Sequence, residues 1–140
     1  MADLPTSFHL TVVTRERKIV ETDAVETVLP ASDGEIGVLP GHTPMLASLR
    51  VGIVRYRAAE GGTLQSLVIS WGFAEILPER VIVMAETARL PQEMDITTAE
   101  AERAKLEREL ADLSSHDPQF ANVEARLEES VAMISVHRGM

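Results

Sequence analysis

Hydrophobic and polar positions follow one rhythm up to about residue 90 and another beyond it. Phe8, Leu10 and Val12 alternate with His9 and Thr11, and Val54, Tyr56 and Ala58 alternate with Arg55 and Arg57. A period of two is that of a half-buried strand. The stretch AEGGT fits a hairpin turn, and LQSLVIS, GFAEIL and RVIVMA follow as strand-like runs interrupted by WG and PER. So many short strands at this spacing predict two antiparallel sheets packed face to face. After residue 90 the step changes to three and four. Leu106, Leu110 and Leu113 share one helical face behind a capping box of Thr97 and Glu100. A second helix is expected from Asp117 as N-cap with Pro118 at its first position, carrying Phe120, Val123, Leu127, Val131 and Ile134 on one side. The short SSHDP connection makes the two helices an antiparallel hairpin. The predicted class is therefore mainly β plus α: a β-sandwich domain over 1–90, then a linker and helical hairpin domain over 91–140.

Punctuation and charge mark the same boundary near Arg89–Asp95. Beyond Pro91 the only glycine is Gly139 and the only proline Pro118. Residues 1–90 hold eight Lys/Arg and eleven Asp/Glu, net −3, and residues 91–140 hold five and eleven, net −6, which together give the chain's −9. That acidic balance repels phosphate and argues against a nucleic-acid partner. None of the apolar runs approaches the ~20 residues of a bilayer span, and MADLPTSFHL lacks the basic start and apolar core of a signal peptide. With no cysteine, disulfides, thiolate metal sites and cysteine nucleophiles are all excluded.

Catalytic constellations are equally scarce. His9, His42, His116 and His137 lie far apart and lack the spacing of zinc ligands. Neither G-x-x-x-x-G-K-[ST] nor G-x-S-x-G occurs, and Gly34, Gly37 and Gly41 fall between strands instead of opening a helix. The carboxylates between Glu100 and Asp112 alternate with bases, as on a solvated helix face; Arg103–Glu107 and Lys105–Glu109 are expected as weak neighbouring pairs. Ser70 beside Trp71 has no local base. The sequence therefore predicts no catalytic residue, no cofactor site and no metal site.

One segment is too elaborate for a plain connection. DGEIGVLPGHTPML, Asp33–Leu46, holds three glycines, which permit positive φ, and two prolines, which fix φ on either side of Gly41-His42. It is expected to form a rigid loop with Glu35 and His42 outward and Ile36, Val38 and Leu39 packed down. Such a loop loses little entropy on binding and suits a docking site.

That segment, followed by LRVGIVRYR and SWGFAEILPERVIVMAETA, closely resembles the epsilon subunit of bacterial F-type ATP synthases, and the likeness runs along essentially the whole chain. The resemblance implies a ten-stranded β-sandwich and two helices in the central rotor beside the gamma subunit, with no activity of its own. It implies that the sandwich touches the c-subunit ring through Gly34, Glu35, Ile36 and Gly37 with His42 close by, Glu35 pairing with a base of the ring. It implies a hairpin that permits ATP hydrolysis when folded on the sandwich and blocks it when extended along gamma, with Arg103, Lys105, Arg108, Arg126 and Arg138 meeting the alpha and beta subunits. Trp71–Glu75 and a sheet face are expected to meet gamma, and the location implied is peripheral, on the cytoplasmic face of the inner membrane. One departure stands out. Members that bind ATP carry Ile/Leu-Asp-x-x-Arg-Ala at the start of the hairpin, whereas this chain has ITTAEA, with Thr97 in place of the aspartate and Glu100 in place of the arginine. The alternative reading of the whole chain is a stand-alone β-sandwich that binds a small ligand in an aromatic-lined pocket.

Overall fold

The computed structural model describes residues 4–139. Eight strands come first: β1 (Phe8–Val13), β2 (Lys18–Ala24), β3 (Glu26–Ala31), β4 (Gly34–Val38), β5 (Met45–Leu49), β6 (Gly52–Arg57), β7 (Leu64–Leu77) and β8 (Arg80–Arg89). A 3-10 turn at Pro91–Glu93 leads to α1 (Ile96–Asp112) and α2 (Phe120–His137). Hydrogen bonding follows the path β2-β1-β8-β7-β5-β3-β4, and β6 joins β3 to β7. All pairings are antiparallel except that of β1 with β8, which is parallel. The sandwich and helical hairpin expected from the sequence are both present.

The strand count is eight where the family resemblance implied ten; β7 is one strand serving both layers, and β8 runs unbroken beside both of its halves. The first half of β7, 64–69, pairs with β6, and its second half, 72–76, pairs with β5. The crease between them is Trp71–Gly72, with φ 45° and 150°. A Cβ at Gly72 would stand 1.9 Å from the Met84 carbonyl oxygen, so only glycine lets the strands approach this closely. The WG dipeptide is therefore a fold within a strand, not a break between two.

Inward positions of both layers make one apolar core. Leu10, Leu29, Leu49, Val54, Leu67 and Ile76 are all fully buried in it. Val51, Val68, Ala99, Leu106, Val123, Ala132 and Ile134 are buried outside that cluster. They belong to the hairpin and its seat: α1 packs chiefly on α2, and α2 rests on β6 and β7.

Both helix starts differ from expectation. The N-cap of α1 is Asp95, whose carboxylate accepts from Thr98 N at 3.1 Å, so Thr97 lies inside the helix. Asp95 has the extended backbone that a cap requires. Residues 118–119 form a turn ahead of α2, in which the Asp117 carboxylate accepts from Gln119 N at 2.8 Å. Of the apolar face expected for α2, Val123 and Ile134 are buried, whereas Val131 is 46% exposed.

Candidate functional site

The Asp33–Leu46 segment is less a loop than a strand with a turn at each end. Residues 34–38 pair with β3 from Ala31↔Gly34 to Thr27↔Val38, and β4 ends the hydrogen-bonded path as an edge strand. Alternation puts Val38 and half of Ile36 inward and Glu35 and Gly37 outward. Gly34 and Gly41 take positive φ, as expected from the sequence; Gly37 does not. Leu39, expected to pack down, is 61% exposed, because the strand ends at Val38 and the alternation ends with it.

The structure does not bring Glu35 and His42 together. Glu35 stands beside the Ser32–Asp33 turn, which Ser32 fastens to β5 by its N–H and hydroxyl on the Ser48 carbonyl at 2.8 and 3.2 Å. His42 lies past the other end of β4, and Glu35 to Val38 alone spans roughly 10 Å of strand. There Gly41 N donates to the Pro78 carbonyl at 2.8 Å, joining this turn to the one between β7 and β8. His42 Nδ1 is 2.7 Å from the Thr43 carbonyl, so Nδ1 carries a proton and Nε2 is left for an outside partner. Glu35 is held by Arg55, whose Nη1 donates to Oε2 at 3.2 Å; Arg55 is 26% exposed and Glu35 63%, so the carboxylate is fixed from behind and open in front.

The hairpin bases divide into two groups. Arg126 reaches Glu102 at 3.2 Å and Arg138 reaches Glu100 at 3.5 Å, tying the two helices together. Arg103 Nε is 3.8 Å from Glu107, too far for a hydrogen bond, and is buried without an acceptor. Lys105 and Arg108 are exposed and form no ion pair among the described residues, so the expected Lys105–Glu109 pair is not made.

Between hairpin and sandwich runs a cleft of about 630 Å³, with Val51, Ile53, Leu110, Leu127 and Val131 on its walls and no aromatic side chain. A ligand-binding sandwich was expected to show an aromatic-lined pocket; Trp71 lines only a smaller cavity nearby. No group of three His, Cys, Asp or Glu is placed to hold a metal ion among the described residues, and no helix there is long and apolar enough to cross a membrane.

A third surface was only partly legible in the sequence. Outward positions of β5, β7 and β8 expose Leu46 (73%), Phe73 (60%) and Met84 (45%), with Phe73 directly opposite Met84 and Ser48. The TrpGlyPheAlaGlu stretch pointed to Phe73. Leu46 and Met84 lie in apolar stretches whose outward positions the sequence does not mark. Toward the other edge of this sheet, His9 sits between Asp23 at 3.1 Å and Glu21 at 3.2 Å, and these two carboxylates raise its pKa above 6.5.

Residues 7–91 match the family model of the ATP synthase delta/epsilon chain β-sandwich domain. Over 127 residues, 91% of this chain, the sequence is 39% identical to the ATP synthase epsilon chain of Syntrophobacter fumaroxidans, covering 92% of that relative. It is 35% identical over the same length to ATP synthase epsilon chain 2 of Syntrophotalea carbinolica, again covering 91% of both chains. The fold is similar to a chain in the Euglena gracilis mitochondrial ATP synthase OSCP/F1/c-ring structure, with a TM-score of 0.81 at 23% identity, covering 96% of this chain and 84% of that one. A sandwich and hairpin in this order, with sequence identity sustained along nine-tenths of the length, place the protein in the ATP synthase epsilon-chain family, stalk subunits of the F-type enzyme.

Proposed function

We propose that this chain is the rotor subunit that joins gamma to the c ring, performing no chemistry itself, on the cytoplasmic face of the inner membrane. The observation that carries this reading is the distribution of the sandwich's two outer faces. One is seated under α2, while the opposite one exposes the Leu46, Phe73 and Met84 patch. Exposed apolar side chains grouped in this way mark a protein interface, and gamma is the partner the family offers. The open edge of β4, from Gly34 through Glu35, Ile36 and Gly37 to the turn of His42, is assigned to the c ring. Arg55 holds Glu35 ready to meet a base there, and its preset position limits the entropy lost on contact.

The hairpin is assigned the role of a brake on hydrolysis, meeting the alpha and beta subunits when extended. Lys105 and Arg108 are already available for acidic partners; Arg103, Arg126 and Arg138 become so as the pairs within the hairpin open. A brake needs two states of similar energy. The open cleft beneath α2 reduces the preference for the docked state. The start of the hairpin does not favour nucleotide. Glu100 stands where the resemblance would place an arginine, and it binds Arg138, the base across from it. The division into a sandwich domain to residue 90 and a hairpin domain beyond is part of the same proposal.

Co-purification with gamma, followed by hydrolysis assays, tests the reading. Phe73→Glu is expected to weaken gamma capture at least tenfold without lowering the melting temperature. Removing the chain after Asp95 should leave gamma capture intact and raise ATPase activity. Unaltered capture by Phe73→Glu would reject the assigned face, and an unaltered ATPase rate after truncation would reject the brake.

A further inference from the structure

The charged contacts between hairpin and sandwich are grouped in two places with different leverage. At the linker, Arg17 Nη2 donates to Glu93 Oε2 at 2.6 Å, while Glu93 Oε1 accepts from Leu90 N at 2.9 Å. This fastens the first residues after β8 to the β1–β2 turn, so the first residues beyond that tie are Met94, whose N–H bonds only back to the Pro91 carbonyl at 3.2 Å, and Asp95. Farther along, two consecutive residues of α2 meet two arginines of the sandwich. Arg50, just after β5, reaches both carboxylate oxygens of Glu128 at 3.3 Å, and Arg89, the last residue of β8, has Nε 3.5 Å from Glu129 Oε1.

Apolar packing between these points is incomplete. Beside the charged pairs lies the 630 Å³ cleft, and a second cavity of about 240 Å³ is lined by Ser32, Trp71, Ala121 and Ala125. With so much of the seat unfilled, charge carries a larger share of docking than it would over a close-packed interface. Individual exposed pairs are weak and sensitive to salt. Two on adjacent residues suffice to bias an element whose states lie close together.

We propose that Arg50–Glu128 and Arg89–Glu129 form an electrostatic latch holding the hairpin against the sandwich, with Arg17–Glu93 fixing the pivot at Met94–Asp95. The hairpin is then released by ionic strength, or by a basic surface that captures Glu128 and Glu129; Arg126–Glu102 and Arg138–Glu100 lie within the hairpin and take no part in the latch.

The chain has no cysteine, so nitroxide labels on Ser32→Cys and Ala121→Cys report docking without background. The labelled protein at low salt is expected to give a short distance. Glu128→Lys with Glu129→Lys should raise the long-distance population about tenfold, and adding Arg50→Glu with Arg89→Glu should restore the short one. In the chain with its four latch residues intact, raising salt from about 0.1 M to 1 M cuts the screening length from about 10 to 3 Å and should open the hairpin without those substitutions. A short distance that survives both charge reversal and 1 M salt overturns the latch. So does a charge-swapped chain that stays open while its circular dichroism remains native. Latch opening is read in the isolated chain, whereas braking is read only in the assembled enzyme. A hairpin that opens there with no change in ATPase rate would reject the brake and leave the latch standing.

Discussion

Gly72 is the position with the least tolerance for change. Any side chain there meets the Met84 carbonyl oxygen and the Ala85 Cα, both backbone atoms without freedom to retreat, and φ is 150°. Gly72→Ala is expected to lose at least about 3 kcal/mol of stability in denaturant unfolding. Gly37→Ala, whose Cβ would meet nothing within 4 Å, should unfold much like the unsubstituted chain. His9 sets a different kind of expectation. Asp23 first and Glu21 second raise its pKa, so its contribution to stability is complete below pH 6.5, the ordinary value, and is lost as pH rises through the raised one. Glu21, lowered mainly by Lys18, and Glu93, lowered first by the Leu90 N–H and then by Arg17, behave oppositely. Their contributions are present above 4.5 and disappear as pH falls through the lowered values. An NMR titration should find the His9 imidazole titrating above 6.5 and returning toward it in Asp23→Asn.

Secondary-structure elements were legible where a local pattern had a single physical solution. The alternation of Phe8, Leu10 and Val12 has only one buried face available, and the structure buries it completely. The Asp33–Leu46 segment had two solutions. Ile36 and Val38 alternate with Glu35 and Gly37 as in a strand, yet the density of glycine and proline suggested a loop, and pairing with β3 decided for the strand. The parallel pairing of β1 with β8 joins residues about seventy positions apart, which no local pattern reveals. In the candidate site, Glu35 and the hairpin bases came from the family resemblance. Met84 was hidden because an all-apolar run does not say which of its residues face outward. At the start of α1, Asp95 and Thr97 are both suitable caps two residues apart, and only backbone geometry separates them. Asp95→Ala should therefore speed amide exchange in the first turn of α1, whereas Thr97→Ala should leave it unchanged.

The whole molecule contains two apolar assemblies of unequal independence. The sandwich core is closed without any hairpin residue, so residues 1–95 are expected to unfold in one cooperative transition and to keep the β-rich circular dichroism of the full chain. Residues 91–140 alone should be largely unstructured in water. Their buried positions, Leu106 and Val123 among them, need a neighbour, and isolated helices of this length are marginal. A change that empties the seat therefore takes structure from the hairpin and leaves the sandwich intact.

The passage of β7 through both layers affects how the sandwich bears load. Two separate sheets held by side chains alone could slide across each other or peel apart one after the other. Here a single polypeptide backbone runs from one to the other at Trp71–Gly72, so displacement of either layer pulls on covalent bonds as well as on dispersion contacts. Stretched between its two faces in an optical trap, the domain should give way in one rupture, with no plateau from a half-opened form.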